Sequence, residues 1–188
     1  MPRLDHFDCL APLYDRLIPA PQGDQLATLA ELPCEGLLLD AGGGTGRVAQ
    51  SLVGRVDQVV VADASLKMLS QACQKPGLWT VLSRAEQLPF ASDSMARVII
   101  VDAYHHLADQ QKSLQELWRV LAPGGLLIIE EPDIAHLAVK FVALAERVLL
   151  MRSHFVRGEI IADDLATLGA QVETVREKFT YWVVARKV

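Results

Sequence analysis

The sequence predicts an α/β fold, a doubly wound and mostly parallel sheet of seven strands covered by helices on both faces. Three observations carry this. Short apolar runs (Leu37-Leu38-Leu39, Val59-Val60-Val61, Leu78 to Ser83, Val98 to Val101, Leu126 to Ile129) have strand length and mostly lack the polar alternation of a sheet wetted on one side. Segments of helical period separate them. Two further β-rich runs, Gln171 to Glu177 and Phe179 to Arg186, close the chain. At 188 residues one core suffices, so the chain is expected to form a single domain over residues 1–188.

The elements follow in order. Phe7, Leu10, Leu13, Tyr14 and Leu17 mark an amphipathic helix over Asp5 to Ile18, bent or divided at Pro12. A second helix is expected from Gln22 to Leu32, before the first strand. After the glycines that follow that strand, Arg47 to Val53 reads as helix, with Val48, Leu52 and Val53 inward. Ser65 is placed to cap a helix carrying Leu66, Met68 and Leu69. Leu114, Leu117, Trp118 and Leu121 share one face of a helix over Gln110 to Leu121, which Pro123-Gly124-Gly125 stops. A long helix over Ile134 to Phe155 and a short one over Asp163 to Leu168, closed by Gly169, complete the set.

Composition excludes several classes. The formal net charge of −5 and the lack of a basic face argue against nucleic acid as partner. Cys9, Cys34 and Cys73 are far apart and form no metal-binding pair, which with the absence of an apolar leader points to reduced thiols in the cytoplasm. Lys140, Glu146 and Arg147 interrupt the greasy segment Leu137 to Met151, so no membrane insertion is expected. That segment reads as a core-packed helix, with an acceptor wall or a homodimer face as the alternatives.

Function is carried by Leu37-Leu38-Leu39-Asp40-Ala41-Gly42-Gly43-Gly44-Thr45-Gly46. A buried strand running into glycines lets backbone N–H groups approach a ligand closely. Gly42, Gly44 and Gly46 give G-x-G-x-G, whereas the dinucleotide pattern requires glycine where Arg47 stands. Asp40, before the glycines, suits a cationic ligand better than a phosphate. Asp40, Asp63 and Asp102 each finish an apolar strand, and in an open parallel sheet ligands sit outside those ends. Asp63 lies about twenty residues beyond the glycines, where a carboxylate accepts both hydroxyls of a ribose. An NAD site places an acid there too, so Asp63 alone leaves a nicotinamide oxidoreductase open.

From about Phe7 to Asp133 the sequence resembles the class I S-adenosylmethionine-dependent methyltransferases, in the branch of ubiquinone/menaquinone-type C-methyltransferases and related small-molecule enzymes. The glycine stretch is similar to that family's first motif. Phe7-Asp8 with Tyr14-Asp15 looks like its N-terminal helix, and Val61-Ala62-Asp63-Ala64-Ser65 with Met68-Leu69 like its ribose and adenine segment. Ala85-Glu86 with Leu88-Pro89-Phe90 resembles its adenine-edge loop. Asp102-Ala103-Tyr104-His105-His106 resembles the motif after strand four, and Leu117 to Gly125 the passage into strand five. The resemblance implies a Rossmann-like sheet with an antiparallel C-terminal strand and S-adenosyl-L-methionine as cofactor. It implies contacts to that cofactor from Asp40, Gly42, Gly44, Gly46, Asp63, Ala64, Met68, Ala85, Glu86 and Asp102. The family's carboxylate before Ala85 is replaced by Arg84, which cannot accept the adenine amino hydrogen, and Met95-Ala96 replaces a Phe-Asp pair.

Methyl transfer from a sulfonium needs alignment and dry surroundings, and a base only when the acceptor must lose a proton. His105, after strand four, and Tyr14, on the N-terminal helix, are the candidates for acting on the acceptor. Glu130, Glu131 and Asp133, after strand five, are candidates for shaping its pocket. No metal site is expected. No Asp/Asn-Pro-Pro-aromatic tetrad follows strand four, which favours a small molecule over a nucleic-acid acceptor. The alternative, motivated by Arg84 and Ala96, is a non-catalytic cofactor-binding or scaffolding protein of the same fold.

Overall fold

The computed structural model describes residues 23–135 and 154–188. The helix expected over Asp5 to Ile18, Tyr14 with it, and residues 136–153 of the expected long helix lie outside the described residues.

Seven strands form one sheet: β1 (Leu37–Ala41), β2 (Gln58–Asp63), β3 (Leu78–Leu82), β4 (Met95–Val101), β5 (Leu121–Pro132), β6 (Ala170–Glu177) and β7 (Thr180–Lys187). Their order is β3-β2-β1-β4-β5-β7-β6. β1 pairs in parallel with β2 on one side and with β4 on the other, so the winding reverses between β1 and β4, where such sheets hold ligands. β7 alone runs against its neighbours, antiparallel to both β5 and β6. The sheet is therefore the mostly parallel one expected, with an antiparallel last strand.

The central strands are apolar on both faces because both faces are covered. Against one face lie α1 (Gly23–Leu29), the 3₁₀ turn Ala49–Leu52 and α2 (Leu66–Ala72), burying Leu26, Leu52 and Leu69 over Leu38, Val61, Ile99 and Ile128. Against the other lie α3 (Gln110–Val120) and α4 (Gly158–Thr167), burying Leu117 and Ile161 over Val60, Ile100, Leu127 and Val183. Ser65 caps α2 as expected, its Oγ accepting the Met68 N–H at 3.2 Å. Asp109 caps α3 through the Lys112 N–H at 3.0 Å.

Several elements differ from the expected bounds: α4 begins at Gly158 rather than Asp163, and residues 134–135 and 154–155 of the expected long helix are not helical. The helix expected over Arg47 to Val53 is only the 3₁₀ turn, since Ser51 turns its hydroxyl back on the Val48 carbonyl (2.8 Å) and Gly54, at φ +80°, ends the run. β5 begins at Leu121 rather than Leu126, because Leu121 already pairs with Met95 before the register shifts ahead of the Arg97–Leu126 pair. β4 begins at Met95 and ends at Val101, leaving Asp102 one residue past the strand at φ +54°. Among the described residues, no helix is long and apolar enough to cross a membrane.

Candidate active site

The glycine loop is folded onto two carboxylates. The Gly42 N–H donates to the Ala62 carbonyl at 2.7 Å, tying the loop to the end of β2. Gly43 passes so close over Asp40 that a Cβ there would lie 2.6 Å from its carboxyl, and a Cβ on Gly42 would lie 3.0 Å from that of Ala103. Gly43 was not among the expected contacts, and only the packing reveals why it is glycine. Asp63 serves the loop directly: Oδ2 accepts the Gly44 N–H at 2.9 Å and Oδ1 the Ser65 N–H at 2.7 Å. The carboxylate expected to meet a ribose is thus the anchor of the loop.

Asp40 is 1% exposed, and its Oδ2 has no hydrogen-bond partner. Burial raises its pKa to about 7; Asp63 pushes in the same direction, against Arg47 and the Ala49 N–H. Across the reversal point Asp102 stands 3.8 Å from Arg47 and donates its N–H to the Glu130 carbonyl at 3.0 Å. Glu130 is likewise raised to about 7, chiefly by burial and then by Asp102, with Arg47 opposing. Arg47 thus stands among three acids at the carboxyl end of the sheet, a role that the G-x-G-x-G pattern does not announce.

In the loop that resembles the family's adenine edge, Arg84 turns back on its own loop. Arg84 neither turns out to solvent alone nor leaves Glu86 open. It forks onto Glu86, Nε to Oε2 and a terminal nitrogen to Oε1, both at 3.2 Å. Glu86 also accepts the Asp109 N–H at 3.2 Å. Burial works against its charge, yet these donors hold its carboxyl below the usual range. Ala85 is buried beside it, Ala64 is exposed, and Met68 is buried with its sulfur facing Gly44. Because the Arg84 guanidinium is largely exposed and screened, Arg84→Ala is expected to change cofactor affinity by less than about threefold. Arg84→Asp would set a second carboxylate beside Glu86, so it is expected to weaken binding rather than restore an acceptor. Calorimetric titration of both variants checks this; a tenfold loss in Arg84→Ala would make Arg84 itself a contact.

His105 lies in the 3₁₀ turn Tyr104–His106, next to the glycine loop, and is 2% exposed. Its Nδ1 is 2.7 Å from Oε2 of buried Glu131, whose Oε1 accepts the Tyr104 N–H at 2.9 Å. His106 is half-buried, its ring 4.0 Å from that of His105 between centroids. Burial, with Asp164 and Glu131, pushes the Tyr104 phenol up. A recess lined by Pro33, Cys34, Gly54, Arg55 and Asp57 opens at the opposite end of β1 and β2, and none of the candidate residues lines it.

A buried carboxylate oxygen under a glycine loop and a second acid at the β2 end together fit a ligand with a cationic amino-acid end and a ribose. The family model for a methyltransferase domain matches residues 39–129. With the strand order and the loop, this match shows a methyltransferase domain of Rossmann-like architecture over residues 39–129. The curated relatives it matches are ubiquinone/menaquinone biosynthesis C-methyltransferases. The enzyme UbiE of Syntrophotalea carbinolica is 36% identical over 139 residues, 66% of this chain and 59% of that protein. The chain thus spans less than two thirds of the length of the curated relatives it matches. Among solved structures, an S-adenosylmethionine-dependent methyltransferase from Thermotoga maritima superposes with a TM-score of 0.77 at 22% identity, covering 97% of this chain and 98% of that one. The [4+2]-cyclase SpnF does so with a TM-score of 0.79 at 14% identity, over 96% and 93%. These two likenesses show the fold alone.

Proposed function

We propose that the chain, as one domain over residues 1–188, transfers a methyl group from S-adenosyl-L-methionine to a small-molecule acceptor. The observation that carries this is Asp40: a buried carboxylate oxygen without a partner, closed over by Gly43 and flanked by Asp63. Asp40 and the loop Gly42, Gly44 and Gly46 would hold the amino-acid end, Asp63, Ala64 and Met68 the ribose, Ala85 and Glu86 the adenine, with Asp102 at the crevice wall. The cofactor supplies an electrophilic methyl on a sulfonium. The chain's part is to orient it, keep water away and meet the acceptor, with His105 and Tyr14 the residues proposed to face it. A cytoplasmic location and an acceptor other than nucleic acid belong to the same reading, which is also compatible with a homodimer.

The test is calorimetry with S-adenosylmethionine and its demethylated product, then mass spectrometry of an extract's metabolites after adding protein and donor. A micromolar dissociation constant, about −8 kcal/mol, is expected for the donor, with no measurable NAD binding. NAD binding without donor binding would overturn the reading. Arg84 and Ala96, which stand where the family carries acids, favour a second one, a cofactor-binding protein of the same fold that transfers no methyl. Tight donor binding with no methylated metabolite would select it.

A further inference from the structure

We propose that the free edge of β3 is the interface of a homodimer, in which a second copy of the chain pairs antiparallel with it about a two-fold axis at Thr80. The inference concerns the edge of the sheet and stands independently of the methyl-transfer reading.

The sheet has two edges and treats them differently. β3 pairs only with β2, and β6 only with β7. An edge presents a row of unpaired N–H and C=O groups, which natural sheets blunt with charge, proline or bulges. β6 is blunted: Glu173, Arg176 and Glu177 lie along it, with Arg176 paired to Glu159 of α4. β3 reads Leu78-Trp79-Thr80-Val81-Leu82, without charge or proline, and its register with β2 runs unbroken over all five residues. Exposed apolar side chains gather there too. Trp79 is 64% exposed, Leu82 58% and Leu66, at the start of α2, 68%, and Val53 joins them. Single exposed hydrophobics are ordinary, but a patch along an unpaired edge marks an interaction site.

The occupant that fits is the strand itself. Pairing about Thr80 sets Thr80 against Thr80, Trp79 against Val81 and Leu78 against Leu82 of the copy. An aromatic side chain thus meets a β-branched one twice, and no charge within the strand faces another. The two faces agree. Leu78 packs on the α2 side of the sheet and Val81 on the α3 side, so alternation puts Leu82 with the first and Trp79 with the second. Val53 lies against Gly77, where a Cβ would be 2.6 Å from its Cγ1. Leu66 follows three residues after Asp63, the register partner of Leu82. The two-fold therefore brings Val53 of one copy toward Leu82 and Leu66 of the other. The cations at the two ends of the strand are turned onto their own chain. Lys75 Nζ donates to the Thr45 carbonyl at 2.8 Å, and Arg84 forks onto Glu86. A copy therefore meets an edge that is neutral as well as apolar.

The size of the contact sets its strength. A five-residue strand with Trp79, Leu82 and Leu66 covers on the order of 500 Å² per chain, near the lower bound for a specific interface. A reversible dimer with a dissociation constant of about 1–100 µM is expected, rather than an obligate one.

The experiment is sedimentation velocity of the chain across that concentration range, with hydrogen exchange of the backbone at its two ends. A monomer–dimer equilibrium is expected, with the amides of residues 78–82 exchanging more slowly as the dimer forms. Trp79→Lys and Leu82→Lys place a charge on side chains that are already exposed, so both should fold and weaken the dimer at least about tenfold. Thr80→Cys should cross-link into a dimer under mild oxidation, at least about tenfold faster than the wild type, because facing residues of an antiparallel pair lie about 4.5–5.5 Å apart. A wild type that stays monomeric throughout overturns the proposal. So does a dimer that leaves exchange at 78–82 unchanged, even if no variant folds, or one that both lysine variants keep intact. Assemblies larger than a dimer, or Thr80→Cys protein that cross-links no faster than the wild type, overturn the two-fold pairing at Thr80.

Discussion

Asp40→Asn is expected to stabilise the protein at pH 8 in the absence of cofactor while weakening cofactor binding by about 2–4 kcal/mol. Folding raises the Asp40 pKa from 3.8 to about 7, so the folded chain holds a proton there that the unfolded chain has lost. Stability from this group is therefore full below pH 4, falls as the pH rises to 7 and stays lost above. The gap corresponds to about 4 kcal/mol at pH 8, an upper bound for what removing the charge can return. Asparagine leaves a buried amide under Gly43, so about 1–3 kcal/mol is expected, shrinking toward zero at pH 4. Urea denaturation at the two pH values checks the stability, and calorimetry checks the binding. For the wild type, a cation bound to Asp40 favours its charged form. Affinity should rise with pH through 7, and binding at pH 6 should release a proton, which titrations in buffers of different ionisation enthalpy would detect. An asparagine variant less stable at pH 8, with cofactor affinity intact, would show Asp40 to be a structural residue.

Asp63→Ala is expected to cost about 2–4 kcal/mol of cofactor binding and, separately, about 1–3 kcal/mol of stability. From the sequence alone only the first loss is foreseen, through the ribose hydroxyls. The second follows from the hydrogen bonds that Asp63 accepts from Gly44 and Ser65, which leave two N–H groups of the loop without their acceptor when it is removed. Asp63 also raises the pKa of Asp40, so the variant should carry an Asp40 that titrates lower than in the wild type. Asp63→Asn keeps one acceptor oxygen and should recover part of the stability. If Asp63→Ala binds cofactor like the wild type, Asp63 only shapes the turn.

The sequence by itself determined the sheet and pointed to the candidate site. Apolar runs with both faces buried, glycines after the first and acids after three of them are local patterns, and each is enforced locally by strand length, by glycine's tolerance of positive φ, and by the exposure of strand ends. It also marked Asp40, Asp63, Asp102 and His105. The tertiary structure alone decided what these residues touch. β5 starts at Leu121 because Met95 is there to pair with it, which no window of the sequence contains. Gly43 must be glycine because Asp40 lies beneath it, and Arg84 closes on Glu86 because the loop bends back on itself. Glu131 meets His105 across 26 residues, since β4 and β5 run side by side in parallel and end together. Charge and periodicity are written along the chain, but partnership between side chains depends on which strands become neighbours, and that is set only when the sheet forms.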